Sequence, residues 1–525
     1  MSAPLSQEQK AFVEFFPSFL SQKDKLAGIR AFAGCGKSYL LRETVKAYPS
    51  VRFLGLAFNT SIAAENKKSF PRKNIKWFNI HLFARTYLQK ETTRLRVLVE
   101  NGALSATSFA QSGFDNDFGG GSKDLKPIEL LRAVGVRDTG NYALGRAIND
   151  VFVVFCQSSL AEITPDGIMR AARLQLCGGV IELPSPVLEA ACSYAKKLWS
   201  LYFFKKIPPS HNYYLKFFER SGLVSKIKEF DALLIDEAQD SNFVTYSIAK
   251  QLGIPIVAVG DEHQSIYGFR GTLNLLKSPD YSFYLSSTFR YIPKIADMAT
   301  KILKGYKGEQ VPIYSFAKEV DGGVDGQIAY LSRNNSTMIG VIDQLVKKSV
   351  FFKTVKKPAE FFSAALAILE FRLEGSTIDK DHLLLNEFKG NMEALEDYIN
   401  ESGDAELKTG FAMQRRYGKR LYTLKSIAEQ NFRNKEMPCN IILSTAHTSK
   451  GLEWDAVELL NDFPDIKRLL QDAKITSATE LMKRARERDP VADAIVQEIN
   501  LLYVAITRAR FYVAWRHVDD EAEKK

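Results

Sequence analysis

Asp231-Ala-Leu-Leu-Ile-Asp-Glu-Ala-Gln-Asp240 decides how the rest of the chain is read. Four of its first five residues are apolar, and two adjacent acids follow at once. That pattern predicts a buried parallel strand ending in carboxylates at its C-terminal edge, where open α/β sheets bind ligands. Asp236 is then placed to anchor a divalent cation and Glu237 to act as the base that orients an attacking water. The competing reading is a solvated acidic turn. Two further segments favour the strand: a phosphate-loop pattern far upstream and Val259-Gly-Asp-Glu-His-Gln-Ser-Ile-Tyr-Gly-Phe-Arg270 just downstream.

Upstream, a short apolar strand (Leu26 to Ile29) leads into Ala31-Phe-Ala-Gly-Cys-Gly-Lys-Ser38 and then a helix from Tyr39. Strand, Gly-rich loop and helix are the setting a phosphate loop requires. Backbone N–H groups of Ala33, Gly34, Cys35 and Gly36 and of the helix N-terminus cradle phosphates, Lys37 reaches the β/γ-phosphates, and Ser38 ligates Mg²⁺. The ligand implied is ATP with Mg²⁺. Ala31 stands where the usual pattern has its first Gly, yet small residues at 31, 33, 34 and 36 still permit close approach of the backbone.

Outward from these motifs, Leu5 to Ala11 opens a helix with Ser6 as N-cap. A second strand, Val51 to Ala57, runs into Phe58-Asn-Thr-Ser-Ile-Ala-Ala-Glu65. From about Lys90 to Val224 the periodicity is helical and Lys/Arg-rich, broken by a Gly-rich loop, Gly113 to Ser122. Alternation resumes at the acidic strand and continues through Ile254 to Val259. A second α/β unit begins near Leu285, with Gln327 to Ser332 and Asn440 to Thr445 as buried strands. Leu501 to Ile506 is an apolar run near its end, and residues from about Leu373 to Glu436 form a smaller helical insertion.

The 525 residues leave room for several domains. A net charge of +10 and a pI near 9.0 suit a polyanionic partner. The five cysteines lack the paired spacing of zinc or redox sites, which points to a reducing compartment. The polar N-terminus and the shortness of every apolar run predict an intracellular, soluble protein with no membrane span.

In this order the motifs resemble superfamily 1 helicases of the UvrD/Rep type, over nearly the whole chain. Within that group the chain most resembles the core of the F-box DNA helicases. Leu56 to Ala63, His211-Asn-Tyr-Tyr-Leu-Lys216, Thr445-Ala-His-Thr-Ser-Lys-Gly-Leu-Glu-Trp454 and Glu498 to Arg508 carry that likeness. The resemblance implies two RecA-like parallel-sheet P-loop NTPase cores, each with a mainly helical insertion. The domains expected are 1–89 with 225–284 (first core), 90–224 (its insertion), 285–372 with 437–525 (second core) and 373–436 (short insertion).

It also implies site roles. Gln9 reads the adenine edge, Phe289 stacks on adenine, Gln264 senses the γ-phosphate, and Gly451 and Glu453 contact the nucleotide. Arg290 and Arg508 are the second core's catalytic arginines, planar and always charged as transferring phosphoryl oxygens require. Phe58, Asn59, His81, Tyr267, Phe269, Arg270 and His447 fall at positions that meet DNA. For Tyr267 and Phe269 the competing reading is core packing, and for His81 and His447 a structural histidine. Leu82, and Ser61-Ile62 where Lys-Ala is common, depart from the family pattern and put individual backbone contacts in question.

The function implied is an ATP-driven 3′→5′ translocase and helicase on single-stranded DNA and on tailed or forked duplex. The alternative is an ATP-gated DNA-binding or recombinase-stripping subunit with little unwinding. Recombinase or nuclease proteins are the expected partners, and the expected location is cytoplasmic in a prokaryote or phage host, nuclear in a eukaryote. With so few residues before Gln9 and after Arg508, neither an F-box nor a fused nuclease is expected.

Overall fold

The apolar half of the acidic stretch is a strand, Ala232–Ile235, buried along its whole length. This computed structural model describes residues 4–57, 60–70, 73–116, 118, 125–137, 141–267, 273–318, 326–379, 382–402, 404–434 and 436–516. The chain divides into two compact units, Met1–Ser287 and Thr288–Lys525.

In the first unit six strands make one sheet: β1 (Leu26–Ala31), β2 (Phe53–Ala57), β3 (Ile75–Asn79), β4 (Ala232–Ile235), β5 (Ile256–Gly260) and β6 (Tyr281–Leu285). Their order is β3-β2-β4-β5-β1-β6, and every pairing is parallel. Ile235 lies opposite Ala258, and Arg30 opposite Gly260, so the acidic pair, the phosphate loop and the 260–264 segment share one edge of the sheet. β3 was not foreseen. β6, reaching Leu285, closes the first sheet beside β1, so the second unit starts just beyond the expected point.

Four helices position this site: α1 (Gln7–Phe19), α2 (Lys37–Ala47), α3 (Thr60–Ser69) and α4 (Ile80–Glu100). α1 starts at a capping box, Ser6 with Gln9, and buries Phe12, Phe16 and Phe19 completely. Asn79 caps α4 by accepting from Leu82 N at 2.7 Å. α4 runs without a break across position 90, and further helices follow, among them Tyr142–Gln157, Ser185–Phe203 and His211–Arg220. Of the loop foreseen over 113–122, residues 117 and 119–122 lie outside those described.

The insertion shares one hydrophobic core with the sheet, Phe155, Leu198 and Phe218 joining Leu54, Leu233 and Ile256. Inside it Lys216 is wholly buried, giving its ammonium protons to Ser158 O and to Glu219, each at 2.9 Å. Glu219 in turn accepts from Ser247 Oγ at 2.7 Å, and its carbonyl accepts from Gln251 Nε2 at 3.0 Å. Both of those donors sit on the helix Phe243–Gln251, which follows the acidic motif.

The second unit opens with short strands β7 (Ser287–Thr288) and β8 (Tyr314–Ser315). Its main sheet comprises β9 (Ile328–Ser332), β10 (Lys353–Thr354), β11 (Ile441–Thr445), β12 (Trp454–Leu460) and β13 (Ala509–Arg516), ordered β10-β11-β9-β12-β13 and parallel throughout. The charged stretch after 373 folds as helices that share a core with this sheet, Leu421 and Leu424 meeting Leu443 and Tyr330. β12 was not foreseen, nor was the helical satellite between β12 and β13, built from Ile466–Asp472, Ala478–Arg486 and Pro490–Ile506. The apolar run Leu501 to Ile506 is the end of its last helix.

Candidate nucleotide site

Gly34 and Gly36 take φ of +75° and +76°, a turn that side chains resist. Gly36 is also the N-cap of α2, so no side chain caps that helix and its first-turn N–H groups face the loop. A Cβ on Gly36 would meet Gln9 Nε2 at 2.8 Å. Gln9 is therefore packed against the phosphate loop, its own Oε1 held by Ser6 N at 3.0 Å. Ala31, where a Gly was expected, is the last residue of β1 opposite Leu285. An extended strand position needs no glycine, which explains the departure.

The acids of β4 stand beside this loop. Lys37 Nζ lies 3.5 Å from Glu237 Oε1. Asp236 is buried, with Oδ2 accepting from Asn66 Nδ2 at 3.2 Å and Oδ1 from Glu237 N at 3.0 Å. Burial pushes the Asp236 carboxyl up to about 6, and the neighbouring charge of Glu237 adds to it, while Lys37 and Asn66 pull it back. Glu237 adopts φ of +54°, an uncommon conformation for a residue with a long side chain. The turn of the solvated-loop reading is excluded: this is a buried carboxylate next to a cation on a phosphate loop.

A hydrogen-bonded chain then links β4 to β5. Gln239 Nε2 donates to Glu237 Oε2 at 2.5 Å, and its Oε1 accepts from Asp261 N at 3.1 Å. Asp261 Oδ2 accepts from Gln264 Nε2 at 2.8 Å. Gly260 makes this possible, since a Cβ there would sit 2.1 Å from Gln239 Oε1. His263 stacks on Phe32 of the phosphate loop, centroids 5.7 Å apart and 9° from parallel. Sequence reasoning gave no role to Asn66, Gln239 or Asp261. Gln239 and Asp261 lie inside the quoted motifs, where an amide beside acids is the available signal; nothing in the sequence places Asn66.

The donor set fits a nucleotide with Mg²⁺. An uncapped helix N-terminus with a lysine beside it suits phosphates. The exposed hydroxyl of Ser38 and the carboxylate of Asp236, short of positive charge, are the hard oxygen donors that Mg²⁺ takes.

In the second unit, Glu453 binds Arg290 Nε at 2.7 Å and pairs also with Arg510. Burial draws its carboxyl upward, but the Arg510 and Arg290 guanidiniums more than offset this and hold it below its ordinary range. Phe289 is 56% exposed and stacks on Phe316, centroids 5.6 Å apart. Gly451 turns at φ of +86°. Arg508 is buried, donating from Nε to Val504 O at 2.9 Å and from Nη1 to Leu452 O at 3.2 Å.

Among the DNA candidates, Phe58, Asn59, Phe269 and Arg270 lie outside the described residues. Tyr267 is half-buried three residues beyond Gln264, and His447 is half-buried in the turn after β11. His81 packs edge-on to His211 and Tyr214 at 5.6 and 5.7 Å. Burial, with the charge of His211, lowers its pKa to about 4, and its Nδ1 has no partner among the described residues.

A phosphate loop and an acid pair at the C-terminal edge of one parallel sheet, in a chain that has a second parallel-sheet unit, give the fold of a P-loop NTPase with two RecA-like cores. The chain matches the UvrD/REP helicase N-terminal domain over residues 211–277 and the UvrD-like helicase C-terminal domain over residues 385–515. It thus carries regions similar to both the N-terminal and the C-terminal domain of UvrD-like helicases. It is 24% identical to F-box DNA helicase 1 of Gallus gallus over 93% of this chain and 47% of that protein. To F-box DNA helicase protein 1 of Schizosaccharomyces pombe it is 27% identical over 96% of this chain and 56% of that protein. A shorter match, 28% identical over 29% of this chain, is to the putative ATP-dependent DNA helicase YjcD of Bacillus subtilis, covering 25% of that protein. The chain spans about half the length of the two F-box relatives. Both are eukaryotic, so the prokaryotic or phage placement gains no support. Among the described residues no helix is long and apolar enough to cross a membrane.

Proposed function

We propose that this chain is an ATP-dependent DNA helicase that moves 3′→5′ along single-stranded DNA and separates the duplex ahead of it. The observation that carries the reading is the linkage of Lys37, Glu237, Gln239, Asp261 and Gln264 on one sheet edge. The nucleotide, when bound, supplies a phosphoanhydride whose terminal phosphoryl passes to water. Loop N–H groups and Lys37 hold the phosphates, and Ser38 with Asp236 would hold Mg²⁺. As Lys37 turns to phosphate, Glu237 Oε1 is released to take the proton of the attacking water, while Gln239 keeps Oε2 fixed. Arg290 and Arg508 serve the charge that spreads over the transferred group.

Gln264 and Tyr267 lie on one short segment, which would couple phosphate sensing to a grip on DNA. Base–aromatic stacking tolerates any sequence, as a motor requires. The test is ATP turnover and strand separation on DNA and RNA bearing 3′ or 5′ tails, with Lys37→Ala as the control. DNA-stimulated turnover with unwinding from 3′ tails, both lost in Lys37→Ala, is expected. Turnover with filament clearance but no strand separation would assign the stripping alternative.

A further inference from the structure

On the flank of the first sheet lies a cleft of about 590 Å³ between α3 and β3. Ala64, Lys67, Lys68, Phe70, Lys76 and Trp77 are among the residues that line it. Among the described residues β3 is an edge strand, paired with β2 alone. Phe53 N donates to Asn74 O at 2.8 Å, and alternation along a parallel ladder turns Lys76 toward β2 as well. The backbone N–H and C=O groups of Ile75 and Trp77 therefore face outward, where another strand could pair with them.

The floor of the cleft is apolar: Phe70 meets Trp77 edge-on at 4.9 Å. The indole N–H of Trp77 is buried with no acceptor among the described residues. The rim is basic. Lys67 and Lys68 are exposed, while Lys76 is already paired with Glu229 at 2.7 Å. An open edge takes an extended backbone, an apolar floor takes a large apolar side chain, and a lysine rim takes acids. Nucleic acid meets the charge but cannot supply the alternating N–H and C=O groups that a strand edge pairs with.

We propose that this cleft docks an extended segment of a partner protein, acidic on both sides of a large apolar residue, which adds to β3 as a further strand. The test pans a random peptide display library against the whole chain in the presence of excess single-stranded oligonucleotide. Enriched peptides are then synthesised and their affinity measured by fluorescence anisotropy. Lys67→Glu with Lys68→Glu reverses the rim, and Ala64→Arg fills the cleft while adding positive charge, separating fit from attraction.

Enriched peptides should be acid–apolar–acid, and each variant should weaken them by about tenfold or more with basal ATPase unchanged. Absence of enrichment, or binding indifferent to both variants, would overturn the proposal and leave the lysines as guards against edge pairing. Photocrosslinking of the oligonucleotide to this cleft, lost on rim reversal, would overturn it in favour of nucleic acid.

Discussion

Asp236 and Glu453 are both motif carboxylates beside a sheet, yet their surroundings treat them in opposite ways. Asp236 is enclosed, shares its corner with a second acid, and has Lys37 as its one nearby cation among the described residues, so its charge is disfavoured. Glu453 is exposed and held by two guanidiniums, so its charge is favoured. The first unit's site is short of positive charge in a way that a bound cation relieves. The second unit's site is already neutralised by its own residues. Perturbed ionisation of the first kind marks a place where a ligand completes the electrostatics.

Glu237→Gln attacks the acidic side hardest. Loss of a positioned base should slow hydrolysis by about 10²–10⁴-fold while ATP binding survives. Single-turnover hydrolysis on DNA measures this, and retention of rate within a few-fold would shift the role to Asp240, buried two residues beyond Ala238. Arg290→Ala tests the compensated side. It should lower kcat by about 10²–10³-fold, since a transition-state charge loses its partner. An effect confined to KM would make Arg290 a ground-state clamp whose main task is holding Glu453.

Asp236→Asn turns the comparison into a stability measurement. In the fold this carboxyl titrates near 6, against about 3.9 in an unfolded chain. Its ionisation therefore opposes folding at neutral pH; the cost is absent below about pH 4 and grows as pH rises through 6. The substitution should stabilise the nucleotide-free protein by roughly 2–3 kcal/mol at pH 7.5, and by nothing at pH 4. Thermal melts at the two pH values decide it. A variant no more stable at pH 7.5 would show that the bonds to Asn66 and Glu237 N outweigh the buried charge. Glu453→Gln should have the smallest effect, a few-fold rise in KM for ATP, because exposed ion pairs contribute little. A collapse of kcat would instead make Glu453 the residue that aims Arg290.

Most of the first unit was legible because its motifs announce themselves in order. A strand ending in Asp236-Glu237 and a loop ending in Gly36-Lys37-Ser38 each combine local propensity with chemistry. β3 was harder: Ile75-Lys-Trp-Phe-Asn79 is short and irregular in polarity, and only pairing with β2 makes it a strand. Leu501 to Ile506 shows a different limit. A continuous apolar run suits a buried strand or a buried helix equally, and here Ile495, Val496 and Ile499 upstream extend it as a helix. Asn66 was invisible because its partner is 170 residues away. The Gln239–Asp261 bond was invisible because it depends on a missing methyl at Gly260.

The buried contact of Lys216 with Glu219 gives the helical insertion a mechanical character. Glu219 is fastened from the other side by Ser247 and Gln251, on the helix that follows the acidic motif. For the insertion to swing independently, the bonds that Ser247 and Gln251 give to Glu219 would have to part beside an apolar core, and leaving a buried acceptor without its donor costs about 1–3 kcal/mol. The insertion is therefore a stiff arm and not a pendulum. Torque applied to its far end by a nucleic acid or protein would arrive at the sheet that carries Asp236 and Glu237 with little lost to slack.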